Sequence, residues 1–161
     1  MVCEATIVSQ SPQLPTSNLV PSTIAPDWFD YPITVYAHHT DYAGVVWHGA
    51  YIAWLEEARI EFLQSRGIDF AQLVEMGCNL PVIDLSIRYH QPLRMGMKAI
   101  VKTRLMSIEG VKLPVEYEIR SLDNSVVYVS GRVVLVAVDM VKGKILRRLP
   151  STVESALAIV R

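Results

Sequence analysis

The sequence predicts an α+β domain in which one long helix packs against an antiparallel sheet. Residues 51–63 repeat apolar side chains with the period of a helix. From residue 82 onward, runs of alternating apolar and polar residues are separated by Gly and Pro turn signals, which is typical of strands joined by hairpins. No internal repeat is visible, and 161 residues are enough for one domain with a real core. We therefore expect a helix layer on a sheet layer, with the helix in the curve of the sheet.

The N-terminal segment differs in composition from the rest of the chain. Residues 1–26 carry four of the nine prolines and many Ser, Thr and Gln residues, without a sustained helical or strand period. We interpret them as a flexible or surface-draped tail and assign residues 27–161 to the single domain. A first strand is predicted over residues 31–38, where apolar and polar side chains alternate.

A turn followed by a long helix is predicted between Thr40 and Gly67. Arg66 in the last turn and Gly67 after it are typical of a helix C-terminus. No Ser, Thr, Asp or Asn stands immediately before Gly49, so the first backbone N–H groups have no obvious side-chain cap. We expect this helix to be buried on more than one side, because apolar residues recur at helical spacing: Tyr51, Trp54, Leu55, Ala58 and Phe62.

The remaining elements are predicted from caps, turn signals and alternation. Asp69 to Met76 is typical of a short helix, with Asp69 as its N-cap and Gly77 after its end. Lys142-Gly143 turns the chain into a short last strand that ends near Pro150. Between these points we predict strands over residues 82–89, 98–108, 113–120 and 126–138, the last nearly all apolar.

The composition of the chain favours an oligomer, and the distribution of its charges is compatible with an anionic ligand. Hydrophobic residues make up 51% of the chain and charged residues only 19%, so we expect another subunit to cover part of the apolar surface. Residues 1–80 contain two Lys and Arg against nine acidic residues, whereas residues 81–161 contain thirteen against seven. The basic second half could help to hold the phosphates of an anionic ligand. It lacks the concentrated basic patch expected for nucleic acid.

Other classes of protein are disfavoured by what the sequence lacks. Cys3 and Cys78 are far apart and in no metal-ligand spacing, so neither a disulfide framework nor a zinc site is predicted. No apolar run is long enough to span a membrane. No Lys or Arg precedes Arg59, which disfavours a secretory signal and an Arg-rich transit peptide, so the expected location is cytoplasmic.

The turn before the long helix contains the candidate chemistry. An uncapped helix start offers N–H donors and partial positive charge to a carbonyl oxygen that gains negative charge. Asp41, His48 and this helix start would surround one small volume, and Gly49 would let a substrate approach closely. From spacing alone, Asp41 could equally close the turn and His48 fill a gap. His38 and His39 lie nearby at irregular spacing, which does not predict a metal site.

The segment DYAGVVWHGAYIAWLEEAR resembles the signature of the hot-dog-fold acyl-CoA thioesterases. The likeness is to the 4-hydroxybenzoyl-CoA thioesterase branch and to the short-chain acyl-CoA thioesterases of bacterial Tol-Pal systems. It extends loosely from about residue 31 to 150 and implies a hot-dog fold, in which a curved antiparallel sheet wraps a central helix. The residues that carry it are Asp41, Gly44, Val45, Val46, His48, Tyr51 and Glu56.

The resemblance implies roles for these residues. Asp41 takes the position of the catalytic carboxylate, and the backbone N–H at His48 contributes to the oxyanion site. Asp41 could attack the thioester carbonyl or act as general base on water, while His48 could orient water or substrate. Glu56 is the competing carboxylate, because some hot-dog thioesterases use an acid on the helix. No cofactor and no metal are implied.

The resemblance also places the active site where two subunits of a homodimer or homotetramer meet. Coenzyme A is then held partly by basic residues of the partner's sheet, and Lys112 is the nearest match in this chain. The 4-hydroxybenzoyl-CoA branch has a richer basic cluster there. The substrate could therefore be an acyl-CoA, an aryl-CoA such as 1,4-dihydroxy-2-naphthoyl-CoA, or an acyl-carrier-protein thioester. A non-catalytic acyl-CoA binding module is the alternative from a different class.

Overall fold

The computed structural model describes residues 28–158, and the predicted tail of residues 1–26 lies outside this range. Its helices are α1 (His48–Ser65), α2 (Phe70–Glu75) and α3 (Ser151–Ala158), and a short 3-10 turn covers Ala37–His39. Its strands are β1 (Phe29–Thr34), β2 (Cys78–Asn79), β3 (Val82–Tyr89), β4 (Lys98–Leu105), β5 (Lys112–Arg120), β6 (Val127–Val136), β7 (Val138–Asp139) and β8 (Lys144–Ile145).

Five strands form one antiparallel sheet in the order β1-β4-β5-β6-β3. A small second sheet has the order β2-β7-β8. Helix α1 packs on the inner face of the large sheet, where a Cβ atom on Gly131 would lie 3.4 Å from Leu55 of the helix. The predicted α+β architecture is confirmed.

One broad face of α1 is buried, and the opposite face is exposed. The expectation that this helix would be covered on more than one side is therefore wrong for the single chain, in which Ile52 and Ile60 stay exposed. The helix ends as predicted, with Gly67 in the left-handed conformation at φ +82°. Its buried residues are Ala50, Tyr51, Trp54, Leu55, Ala58, Arg59, Phe62 and Leu63.

A charged side chain is part of this buried face. The Arg59 guanidinium donates to the Tyr117 hydroxyl at 3.2 Å and forms an ion pair with the exposed Glu56 carboxylate. Burial raises the pKa of Tyr117 to about 12, although Arg59 acts in the opposite direction. The buried hydrogen bond between Arg59 and Tyr117 fixes α1 to the middle of β5.

Several predicted boundaries differ from the structure. Strand β1 ends at Thr34, because the chain then enters the 3-10 turn. Strand β4 stops at Leu105 instead of residue 108, and the predicted strand 126–138 is divided into β6 and β7. The last strand ends at Ile145, well before Pro150, and helix α3 follows where no element was predicted.

Strand β3 forms an open edge of the large sheet, and most of its side chains are exposed. Its apolar residues Val82, Ile83 and Leu85 are 40%, 51% and 40% exposed. An edge strand with exposed apolar side chains and unpaired backbone groups is suited to pairing with another chain. Among the helices of residues 28–158, none is long and apolar enough to cross a membrane.

Candidate active site

Residues 39–47 form a tight loop, here called the Asp41 hairpin, that joins the 3-10 turn to α1. The Asp41 N–H donates to the Val45 carbonyl at 2.8 Å, and the Trp47 N–H donates to the His39 carbonyl at 3.1 Å. Gly44 adopts φ +73°, a conformation that only glycine reaches without strain. These bonds place Asp41 near the tip of the hairpin and the start of α1 at its base.

The Asp41 carboxylate is exposed and only partly engaged. Its Oδ1 atom accepts the backbone N–H groups of Ala43 at 2.8 Å and Val45 at 3.3 Å. Within residues 28–158, its Oδ2 atom has no hydrogen-bond partner. The turn therefore fixes one oxygen and leaves the other one available for chemistry.

Helix α1 begins without a side-chain cap, as predicted. Trp47 occupies the N-cap position and makes no side-chain bond to the first turn. The Ala50 N–H is bonded to the Trp47 carbonyl at 3.0 Å. The N–H groups of His48 and Gly49 have no acceptor in the part of the chain that the structure describes. Two donors with the positive end of the helix dipole behind them are thus free to bind an oxygen.

Gly49 leaves room for the ring of Trp47. A Cβ atom at position 49 would overlap two atoms of the Trp47 ring. The ring lies over Gly49 and remains partly exposed beside the open helix start. Close approach at Gly49 was predicted for a substrate, but here a side chain of the same chain makes it.

A cleft of about 360 Å³ opens between the start of α1 and the end of β3. The Tyr51 hydroxyl accepts the Leu93 N–H at 3.0 Å, which leaves its own proton free to donate. Burial raises the pKa of Tyr51, and the Leu93 N–H opposes part of that rise. The Tyr51 and Tyr89 rings lie 5.3 Å apart. The lining residues are Val46, His48, Tyr51, Tyr89, His90, Gln91 and Pro92.

Of the four predicted site residues, only His48 lines this cleft. Asp41 and Gly49 lie in the adjoining hairpin and helix start. Lys112 is the first residue of β5. Seven residues later, Ile119 is level with Tyr89 at the cleft end of the sheet, because both pair with Val129 of β6. At about 3.3 Å per residue, Lys112 is about 23 Å from that level. The single chain does not bring Lys112 to its own cleft.

Comparison with known proteins identifies the family. Residues 35–157 match the thioesterase-like superfamily. The chain belongs to that superfamily. The predicted resemblance to the hot-dog thioesterases is thereby confirmed, as is the prediction of a thioester hydrolase at the level of the family.

Individual relatives of this thioesterase-like chain agree with that assignment. The Synechocystis protein sll0410, named as an esterase, is 48% identical over 134 residues, which cover 83% of this chain and 81% of that protein. The acyl-CoA thioester hydrolase YbgC of Escherichia coli O6:H1 is 30% identical over 125 residues, covering 78% and 92%. A DHNA-CoA thioesterase structure from Staphylococcus aureus superposes with a TM-score of 0.76 at 25% identity, covering 83% and 90%.

Two polar residues that follow β3 line the cleft, and the sequence analysis did not predict them as site residues. His90 and Gln91 line the cleft, and the His90 Nε2 atom lies 2.8 Å from the Ser130 hydroxyl. Two polar residues between the end of a strand and Pro92 were the available signal. Nothing in the sequence indicated that this point would meet the start of α1.

Glu56 is separated from the cleft. Its carboxylate lies on the exposed side of α1, where it pairs with the guanidinium of the buried Arg59, and it does not line the cleft. Within residues 28–158, no three His, Cys, Asp or Glu side chains are grouped so that they could hold a metal ion.

Proposed function

We propose that this chain is an acyl-CoA thioesterase that hydrolyses a thioester to a free acid and a thiol. Asp41 supplies the catalytic carboxylate, and the N–H groups of His48 and Gly49 form the oxyanion site. The observation that carries the proposal is the Asp41 hairpin, whose backbone hydrogen bonds connect a carboxylate with a free oxygen to an uncapped helix start. Family membership supports the reaction class.

The helix start would stabilise the tetrahedral intermediate. Attack on the thioester carbonyl moves negative charge onto the carbonyl oxygen, and the two free N–H groups of α1 are aimed along the helix axis toward such a charge. These donors are held by the helix itself, so they need no rearrangement when the charge develops. The His48 side chain lines the cleft and would orient water or substrate there.

Asp41 has two possible roles in this reaction. Its Oδ2 atom could attack the carbonyl carbon, expel the thiolate and form a mixed anhydride that water then opens. Alternatively, it could take a proton from a water molecule that attacks the carbonyl directly. The backbone bonds to Oδ1 support both roles, because they hold the carboxylate in one orientation.

The cleft can receive an acyl group, and its aromatic walls make an aryl group the second candidate. Its volume is about 360 Å³, and Tyr51 and Tyr89 present aromatic walls to it. Flat rings pack well against such walls. A free phenolic proton on Tyr51 suits a substrate with a hydroxyl or carbonyl oxygen.

A homo-oligomer joined through β3 would complete the site. If two copies pair antiparallel along this exposed edge, the strand directions of the partner's sheet are reversed. The end of the sheet where Lys112 lies would then meet the cleft end of the other subunit. Lys112 is exposed and could bind a coenzyme A phosphate there, in a dimer or in a tetramer built from such dimers.

Release of free thiol from acetyl, medium-chain, long-chain and aromatic acyl-CoA esters tests the proposal. The Asp41→Asn variant keeps the shape and the backbone hydrogen bonds but loses the charge. We expect kcat to fall by about 10² to 10⁴, the usual contribution of a positioned acid or base.

Asp69→Asn is the matched control. The Asp69 Oδ1 atom accepts the Ala71 N–H at 2.8 Å, the same kind of bond that Asp41 makes, but it caps α2 instead of facing the site. Full activity of Asp41→Asn would refute the catalytic role. No release by the wild type from any ester or carrier-protein thioester, together with tight acyl-CoA binding, would favour a binding module.

A further inference from the structure

The geometry points to His39 as a positioning residue for the proposed thioesterase reaction, active only as the neutral imidazole. This inference rests on the proposed function, because the group that it positions is the Asp41 hairpin. His39 makes no contact with the cleft. It would act by holding the base of the hairpin against α1.

The first contact concerns the imidazole ring. The backbone N–H of Tyr36 donates to His39 Nδ1 at 3.0 Å. A backbone N–H can only donate, so Nδ1 must be unprotonated, and the ring proton of the neutral form must be on Nε2. The His39 N–H in turn donates to the Tyr36 carbonyl at 3.0 Å. The side chain and backbone of one residue thus close the 3-10 turn from both sides.

The second contact connects this turn to the site. The His39 carbonyl accepts the Trp47 N–H, and Trp47 is the N-cap residue of α1. The His39 ring packs edge-on against buried Trp54, with centroids 4.9 Å apart. His39 therefore contacts the end of the 3-10 turn, the base of the Asp41 hairpin and the body of α1. Movement at this point would shift the Asp41 carboxylate relative to the donors of the helix start.

Protonation of His39 would break the first contact. A proton on Nδ1 would point at the Tyr36 N–H, so that a donor and an acceptor become two donors facing each other. The titratable neighbours are His38 on the same turn, with ring centroids 3.9 Å apart, and Glu57 on α1. Burial lowers the pKa of His39 below its ordinary value of 6.5, and His38 lowers it further, although Glu57 acts in the opposite direction.

The sign of the pH dependence follows from this direction. The folded protein disfavours the proton, so the contribution of His39 to stability is complete above about pH 6.5, the ordinary histidine pKa. It is lost as the pH falls through the lower folded value. We expect the rate of thiol release to fall over the same pH interval.

Two substitutions of His39 separate the effect of its hydrogen-bond acceptor from the effect of its ring packing. In His39→Asn, the side-chain oxygen can accept the Tyr36 N–H, and it does not titrate. In His39→Phe, the ring packing on Trp54 is kept but the acceptor is lost. At pH 8, we expect kcat of the Phe variant to fall between about threefold and tenfold with KM unchanged, the rate equivalent of one hydrogen bond between neutral groups. The Asn variant should recover most of that loss.

The pH profile gives the readout that a purely structural role would not change. Between about pH 6.5 and 5, the Asn variant should keep a larger share of its pH 8 activity than the wild type does. His38→Asn is the control, with the pH 8 rate unchanged. Nitrogen NMR of wild-type His39 at pH 8 should report an unprotonated, hydrogen-bonded Nδ1.

The outcomes distinguish failure of this inference from failure of the proposed function. Equal kcat values for the Asn and Phe variants, with acid profiles that match the wild type, would overturn the positioning role. A protonated Nδ1 at pH 8 would overturn it as well. Absence of thiol release by the wild type would refute the proposed function, and the NMR measurement would still decide the state of His39.

Discussion

At the scale of single residues, Gly49 and Trp47 form a matched pair at the start of α1. The Trp47 ring occupies the space where any larger residue 49 would place its Cβ atom. Trp47 is 45% exposed, so the ring could swing outward, but it would leave the helix start that it now borders. The absence of a Cβ atom at Gly49 therefore allows the Trp47 ring to lie beside the free N–H groups of the helix start.

Gly49→Ala is expected to displace the Trp47 ring and to lower both stability and activity. Overpacking costs about 1 to 3 kcal/mol, and because Trp47 is partly exposed we expect a loss of unfolding free energy of about 1 kcal/mol. Urea unfolding and thiol release measure the two effects. The double variant Gly49→Ala/Trp47→Ala removes the clash, so the alanine at 49 should cost less stability in that background. An equal cost in both backgrounds would contradict the steric explanation.

Three of the four predicted site residues, Asp41, His48 and Gly49, belong to one local segment. Asp41 and His48 were predicted because only six residues lie between them and their motif is contiguous. Tyr89 and His90 reach the same cleft from a segment about forty residues further on, because β3 ends beside the start of α1. That encounter depends on sheet order and register, which no local pattern specifies.

At the scale of elements, a buried hydrogen bond joins α1 to the sheet. Tyr117→Phe would leave the buried Arg59 guanidinium with one acceptor fewer. Losing a hydrogen bond to a charged group is expected to cost about 2 kcal/mol of unfolding free energy. The Asp41 hairpin lies at the other end of α1, so thiol release at 25 °C should change little.

Tyr128→Phe is the matched control for this prediction. Tyr128 is also buried in the core, but its hydroxyl makes no hydrogen bond within residues 28–158. Thermal unfolding of the two variants beside the wild type measures the difference. Equal shifts in Tm for both would mean that the Arg59 contact contributes nothing beyond the loss of a hydroxyl group.

The elements that the sequence predicted well have signals within themselves. Helix α2 has its Asp69 cap, and α1 has its periodic apolar face. The end of β1 was misassigned because alternation continues to His38, whereas the chain turns at a contact made by the His39 side chain. Helix α3 was missed although Ser151 and Glu154 have the spacing of a capping box after Pro150.

At the scale of the whole molecule, the exposed β3 edge and the position of Lys112 support the same proposal. The large sheet leaves apolar side chains uncovered along β3, and it holds Lys112 at the end opposite to the cleft. If two β3 strands pair antiparallel, the partner covers these apolar side chains. The same pairing brings Lys112 of one subunit toward the cleft of the other. We expect the native molecule to elute as a dimer or a larger even oligomer, as light scattering after size exclusion would measure.

A mixed oligomer tests whether Asp41 and Lys112 of one active site come from different subunits. Lys112→Ala should weaken acyl-CoA binding, and Asp41→Asn should lower kcat by about 10² to 10⁴, so each variant alone is poor at low substrate concentration. In a mixed dimer, the site that has Asp41 from one chain and Lys112 from the other is intact. Random assortment of equal amounts makes half of the dimers mixed, with one intact site each, so about a quarter of wild-type kcat/KM is expected. If both residues served the same site from one chain, tag-purified mixed dimers would regain no activity, and Lys112 would have to act within its own subunit or not at all.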